Sequence, residues 1–409
     1  MSLKEALEKV ERKEFKQAKE LLEPICNVSK KRWRAWTLLS LVYLSLDEPK
    51  KAYEASNVAC GKNAPLAEYV KAKAMYILDM DNKLKQLEHA LEIDCDCLYT
   101  LKLASCLREI DGAILLEKSA RTKSSQTETC IKMFYRAAQK FSKLGRKIDA
   151  LRNFQEVAKR CETLPSLKDL GEIARYKVAA LGNKAKDNET IARAPESYIK
   201  RLYDSFASTF DETLVKKLAY RTPTEISSLI GTLNLSFKRG CDLGCGTGLS
   251  GLALRRFVSD SLVGVDLSTS MVELAKKRGI YEELHVSEIV SFLKNSSTCF
   301  DLIVSCDVFV YLGDLDDTFQ QVSKSLSSNG VFAFSTEQQI QCGGDKDECS
   351  CTSPYILDIT KRFKHCSEYV LKLSKTHGFA LIRCLRGRII RKQGKSNVKG
   401  DIFLLRKGE

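Results

Sequence analysis

The sequence predicts two domains of different class: an all-α domain of paired helices, then an α/β domain laid out on a mostly parallel sheet. Three observations carry that prediction. Residues 1–182 show amphipathic runs of helical period separated by short polar turns, without strand-like alternation. Across residues 198–409 short apolar runs alternate with helical ones, the pattern that places helices on both faces of a parallel sheet. Near the middle, an apolar stretch runs into Cys241-Asp242-Leu243-Gly244-Cys245-Gly246-Thr247-Gly248 and on into a helical run, Leu249–Phe257. That order reads as strand, tight turn and helix, with small residues letting backbone approach a ligand. Between the halves, residues 183–197 are polar, lack an apolar period and are expected to form a linker.

Length and composition fit this division. The 409 residues allow a sizeable core in each domain. With 44% hydrophobic residues and only 7 Pro, the chain reads as globular rather than disordered. No apolar run is long enough to span a bilayer. The start, Met1 to Glu8, carries acids and lacks an apolar signal core, so neither a secretory nor a transit peptide is expected. The 16 cysteines are then expected as reduced thiols in a cytoplasmic protein. Of the net charge of +14, residues 1–190 hold 36 Lys and Arg against 27 Asp and Glu, an excess of +9, leaving +5 for the rest. That diffuse excess reads as a solvated basic surface and does not single out a nucleic acid.

In the first half a repeat is visible. Trp36, Leu39, Ser40, Tyr43, Ala52, Ala59 and Pro65 follow one pattern of aromatic, apolar and small residues, and Ala18 lies 34 residues before Ala52. Ala137, Ala138, Phe141, Ala150, Phe154 and Pro165 repeat it. Ala74 and Ile77, and then Leu98, Leu101 and Ala104, begin weaker copies. Small residues suit close helix approach, and aromatics fill the gap between pairs. Three to five helix pairs are expected. Stacked pairs of this kind make a groove used for peptides and proteins. The run Lys30-Lys31-Arg32 is expected as a solvated turn, and Cys95 and Cys97 as ordinary thiols, since no second pair stands at ligand spacing.

In the second half, Tyr198–Leu229 is expected to be helical, with Tyr203, Phe206 and Phe210 on one face. Strands follow: one entering the glycine turn, then Ser261–Asp266, Glu283–Val286, Phe300–Ser305, Val331–Glu337 after a turn at Asn329-Gly330, Ala380–Ile389 and Asp401–Leu405. Asp266 ends the second strand, 20 residues beyond Gly246. A carboxylate placed there can accept both hydrogen bonds of a ribose diol.

The glycines Gly244, Gly246 and Gly248 form G-x-G-x-G, whereas a dinucleotide turn would want a small residue at Leu249. This run resembles the first motif of class I S-adenosylmethionine (SAM) methyltransferases. Residues 198–409 resemble the methyltransferase domain of a family of predicted proteins that join N-terminal tetratricopeptide (TPR) repeats to it. Tyr203–Glu212, Cys241–Gly248, Gly264–Asp266, Phe300–Leu315, Phe332–Glu337 and Arg362–Tyr369 carry the match. The resemblance implies a Rossmann-like seven-stranded sheet behind a TPR-like domain, with SAM as cofactor. It places Tyr203 in a lid, Asp242, Gly244, Cys245, Gly246, Thr247 and Gly248 at the cofactor turn, and Asp266, Leu267 and Met271 at its ribose and adenine. Glu288, where the family usually has Asp, would accept the adenine amino group, with Ile289 beside it and Cys306 at the fourth strand's end. Cys306-Asp307-Val308-Phe309 departs from the Asn/Asp-Pro-Pro-aromatic run of base-methylating enzymes.

Methyl transfer needs a general base only when the acceptor is not already nucleophilic; a carboxylate acceptor needs none. His365 is the first candidate base by its intrinsic pKa, followed by Asp307 and Tyr311. Cys342, Cys349, Cys351 and His365 could ligate zinc, but C-x6-C-x-C is an uncommon spacing and a metal-free loop is expected. Three functions stay open: a methyltransferase whose TPR-like domain recruits a protein substrate or partner, a non-catalytic TPR adaptor retaining a SAM-binding fold, and an RNA-directed methyltransferase.

Overall fold

The computed structural model of the chain describes residues 3–29, 31–60, 64–93, 113–114, 116–117, 120–121, 128–182, 191–214, 218–339, 353–394 and 396–408. It divides into two compact units, Met1–Arg175 and Tyr176–Glu409. No helix of the described residues is long and apolar enough to cross a membrane.

The first unit is helical. Its helices Leu3–Glu11, Phe15–Val28, Trp33–Ser45, Pro49–Ala59, Pro65–Ile77 and Lys83–Ile93 pack each on the next, and Glu128–Lys143 packs on Lys147–Cys161. Pro49 and Pro65 each open a helix in its first turn, where a missing N–H costs no hydrogen bond. Ala18, Ala52, Ala59, Ala137, Ala138 and Ala150 are wholly buried, as residues at close helix contacts must be. The copy expected from Leu98 to Ala104 lies outside the described residues.

The second unit holds a seven-stranded sheet in the order β3-β2-β1-β4-β5-β9-β8. Its strands are β1 Phe237–Leu243, β2 Val258–Asp266, β3 Glu283–Val286, β4 Phe300–Ser305, β5 Leu326–Glu337, β8 Phe379–Gln393 and β9 Ser396–Lys407. The first five are parallel, and β9 runs antiparallel to both β5 and β8. A separate antiparallel pair, β6 Tyr355–Leu357 and β7 Phe363–His365, was not expected. Both faces of the central strands are covered, which is why these strands read as continuous apolar runs. Cys241, Leu243, Val265, Ile303, Phe332, Phe334 and Phe403 belong to one core; Leu262, Leu302, Val304, Ala333 and Leu404 belong to another, with Ile226 and Ile230.

Two expectations are corrected. The helix expected over Tyr198–Leu229 is broken into Glu196–Phe206, short turns to Glu212 and Thr222–Gly231. Ala219, in the left-handed region at φ 48°, and Pro223 at the second helix's first turn prevent continuity. The turn at Asn329-Gly330 is instead a wide irregularity inside β5, because Phe300 pairs with Leu326 and Leu302 with Val331. Of the expected linker, residues 183–190 lie outside the described residues, and part of the remainder is hydrogen-bonded within the second unit. Ala194 N–H donates to Tyr311 O at 2.8 Å, and Gly313 N–H donates to Ala192 O at 2.7 Å.

Candidate functional site

Register aligns the ends of the parallel strands at one edge: Asp242 sits opposite both Gly264 and Val304. The turn after β1 crosses that edge. Gly244, Gly246 and Gly248 all have positive φ, at 73°, 53° and 91°. Gly244 is constrained twice, because a Cβ there would lie 2.1 Å from Val308 Cγ2. Gly248 caps Leu249–Leu254, a helix of only six residues.

A cavity of about 240 Å³ opens over this edge. It is bordered by the turn, by the ends of β2 and β4, by the helix Glu196–Phe206, and by two arginines from β8 and the β6–β7 connection. Asp266 Oδ2 accepts Gly246 N–H at 2.9 Å, and its Oδ1 accepts Ser268 N–H at 2.8 Å. The carboxylate is thus fixed by backbone at the cavity wall, and burial pushes its pKa up. Glu288 caps the helix Ile289–Asn295, with Ser291 N–H donating to Oε2 at 2.8 Å, while Oε1 stands 3.9 Å from Arg193. Leu267, Ile289 and Cys306 line the same cavity.

The helix Glu196–Phe206 closes one side through its aromatic face. Tyr203 O–H donates to Tyr311 Oη at 2.9 Å, and its ring meets those of Phe210 and Tyr311 edge-on. Two acids of this segment fasten it to the sheet edge. Asp204 accepts from Ser268 Oγ; Asp211 accepts from Thr247 Oγ1 and pairs with Arg278.

At the end of β4, Asp307 adopts φ 58°, a conformation a non-glycine residue holds only when its surroundings fix it. They do. Its carboxylate accepts from Ser335 Oγ at 2.8 Å, from Thr222 Oγ1 at 3.2 Å and from Arg391 Nη1 at 2.6 Å. The other arm of Arg391 binds Glu337. Arg391 is buried, and the two carboxylates raise its pKa against the desolvation of the site. It reaches the cavity because the outer end of β8 pairs with the segment after the first helix: Arg221 N–H donates to Ile390 O at 3.0 Å and Lys392 N–H to Leu218 O at 2.6 Å.

The cavity therefore brings together Tyr203, Gly244, Cys245, Gly246, Thr247, Asp266, Leu267, Glu288, Ile289, Cys306, Asp307 and Tyr311. Four expected residues are not among its walls. Asp242 is fully buried beneath the turn, accepting from Ser250 Oγ at 2.6 Å and Tyr281 Oη at 2.7 Å. Burial raises its pKa to about 6, opposed by those hydrogen bonds. Gly248 faces Arg278 and Tyr281, and Met271 is wholly buried. His365 is also wholly buried, with Nε2 bonded to Gly313 O at 3.1 Å; burial lowers its pKa to about 4. That placement removes the first candidate for a general base. Cys342, Cys349 and Cys351 lie outside the described residues, and among those described no group of three metal-ligating side chains converges. Arg362, Arg391 and Tyr220 also line the cavity and were missed. The signal for Arg362 was its place in a run already singled out, Arg362–Tyr369. A basic residue between the apolar pair Ile389-Ile390 and Lys392 gave little for Arg391.

Comparison with known proteins agrees on the domain. Residues 236–370 match the family model described as a methyltransferase domain. The malonyl-[acyl-carrier protein] O-methyltransferase of Priestia megaterium is 30% identical over 143 residues, 34% of this chain and 50% of that protein. The trans-aconitate 2-methyltransferase of Rhizobium etli is 33% identical over 97 residues, 24% of this chain and 37% of that protein. The chain spans about half the length of the curated relatives it matches, or less. Among solved structures, an S-adenosylmethionine-dependent methyltransferase from Clostridium acetobutylicum aligns at 22% identity with a TM-score of 0.38, covering 51% of this chain and all of that one. The N-methyltransferase NodS of Bradyrhizobium japonicum, in complex with S-adenosylhomocysteine, aligns at 18% identity with a TM-score of 0.36, covering 46% and 86%. Residues 236–370 are thus a methyltransferase domain, following a helical N-terminal unit.

Proposed function

We propose that the chain is a SAM-dependent methyltransferase whose helical unit, arranged as TPR-like repeats, recruits a protein or peptide to it. The observation that carries the catalytic part is one cavity wall. It sets the positive-φ glycine turn, the backbone-held Asp266 and the helix-capping Glu288 at the ends of three adjacent strands. A SAM molecule fits these donors and acceptors. Asp266 would take the ribose diol, the Gly244–Thr247 backbone would lie along the methionine portion, and Leu267 and Ile289 would flank the adenine, whose amino N–H would donate to Glu288. Bound there, SAM supplies an electrophilic methyl on a sulfonium. The chain's own work is orientation: it aligns donor and acceptor at the end of β4, and Tyr203 with its helix excludes water.

Calorimetry with the full chain and S-adenosylhomocysteine tests this reading, and an absence of binding would end it. The recruiting role is supported by the 34-residue spacing from Ala18 to Ala52 and by the buried small residues between successive helices. Affinity capture on the full chain, followed by labelled-methyl transfer, separates the possibilities. Captured proteins that take up label are acceptors, and those that do not are partners only.

A further inference from the structure

We propose that the methyl acceptor is a carboxylate at the end of an apolar chain, seated on the Arg362 guanidinium and methylated on oxygen without a general base. This rests on the methyl-transfer reading and names its substrate class.

The first ground is that the candidate bases at the cavity are engaged in hydrogen bonds or buried. His365 is not at the wall. Asp307 is held in a buried cluster by Arg391, Ser335 and Thr222. Burial keeps the phenols of Tyr203 and Tyr220 and the thiols of Cys245 and Cys306 protonated. Tyr311 Oη accepts from Tyr203 at 2.9 Å, Glu288 caps a helix through Ser291 N–H, and Asp266 accepts two backbone N–H groups. An acceptor suited to this wall already carries its nucleophilic lone pair at neutral pH.

The second ground is Arg362. Arg391 is satisfied by two carboxylates, Asp307 and Glu337. Arg362 is not. Its Nη1 stands 3.8 Å from the Glu337 oxygen that Arg391 already binds, and 3.4 Å from Gln393 Oε1. No shorter partner for this guanidinium occurs among the described residues. Its remaining N–H groups form the planar fork that matches a carboxylate. The third ground is the cavity wall near the first helix and the segment after it. Ile199, Leu202, Leu214 and Leu218 line it, a surface for an apolar chain rather than for a second charge.

The chemistry closes without a proton. A carboxylate oxygen lone pair forms the C–O bond to the methyl carbon as the C–S bond breaks, and that bonding pair returns to sulfur. Sulfonium and carboxylate charges cancel, leaving S-adenosylhomocysteine and a methyl ester.

The full chain, saturated with S-adenosylhomocysteine, is titrated with octanoate and with octanamide, its neutral isostere. We expect octanoate to bind at least ~10-fold more tightly. That preference should vanish in Arg362→Gln and return in part in Arg362→Lys. With labelled SAM in its place, octanoate should yield alkali-labile label, as a methyl ester does. Equal affinities, no binding of either compound, alkali-stable label, or a preference that survives in Arg362→Gln overturns the proposal. S-adenosylhomocysteine binding is measured first: its loss from the wild-type chain defeats the methyltransferase reading instead. Should Arg362→Gln alone lose it through misfolding, Arg362→Lys decides, a preference as large as wild type counting against the fork.

Discussion

Asp242→Asn separates what the glycine-turn acid does for stability from what it does for binding. The carboxyl is fully buried, Oδ2 accepts from Ser250 and Tyr281, and Oδ1 has no partner. Burial, with the nearby Asp266 charge, raises its pKa from 3.8 to about 6. A carboxyl whose folded pKa is raised favours the fold when protonated. Its contribution is full below pH 3.8 and is lost as pH rises through about 6. The whole loss is about 3 kcal/mol, of which about 1.4 kcal/mol falls between pH 5 and pH 8. Asparagine keeps an oxygen for Ser250 and Tyr281 and does not titrate. Its new N–H₂ takes the unpartnered position at a cost of roughly 1–3 kcal/mol, and that cost does not change with pH. The test is therefore the difference between two pH values: relative to the variant, the wild type should lose about 1.4 kcal/mol from pH 5 to pH 8. Urea unfolding followed by circular dichroism reads it. Fluorescence of Trp33 and Trp36, the chain's 2 tryptophans, reports the helical unit alone and should not respond. Since Asp242 is not at the cavity wall, affinity for S-adenosylhomocysteine should stay within about twofold. Parallel pH curves for the two proteins would refute the assignment of a raised pKa to this carboxyl.

Gly244→Ala puts a Cβ 2.1 Å from Val308 Cγ2 on a residue at φ 73°. It should cost roughly 1–2 kcal/mol for the left-handed backbone and ~1–3 kcal/mol for the clash. Adding Val308→Ala should recover the second part only, as melting temperatures will read. Asp266→Ala should weaken S-adenosylhomocysteine binding by roughly 1–3 kcal/mol, and unchanged affinity by calorimetry would take Asp266 out of the site. His365 has a folded pKa lowered to about 4, so its contribution is present above pH 6.5 and is lost as pH falls through about 4. His365→Gln should flatten acid unfolding in that window and leave the pH–rate profile between pH 6 and 8 unmoved. A profile that lost an inflection there would restore His365 as a base.

Much of the sheet was legible. β3 and β4 fall where they were expected, and for β4 the reason is burial on both faces, which leaves little choice of residue. β8 and β9 run several residues further than expected. Their outer halves are basic and mostly exposed apart from Ile390 and Arg391, so little apolar pattern marks their ends in sequence. The turn was legible through its glycines, whose positive φ the structure requires. Cys241 and Leu243 share one core, so Asp242 between them faces the other side of the sheet. Nothing comparable was available for Arg391, whose partners Asp307 and Glu337 lie 84 and 54 residues away in sequence.

That long-range cluster changes how the end of β4 should be read. From sequence, Asp307 after a strand end looks like a base facing an acceptor. In the fold its charge is already committed, and its backbone is held at φ 58° by the same partners. Those partners tie Asp307, Arg391 and Glu337 into one buried cluster. A site organised this way is suited to holding an acceptor that brings its own lone pair, and Arg362, which shares Glu337 at a distance with Arg391, is a cation at that wall placed to hold it.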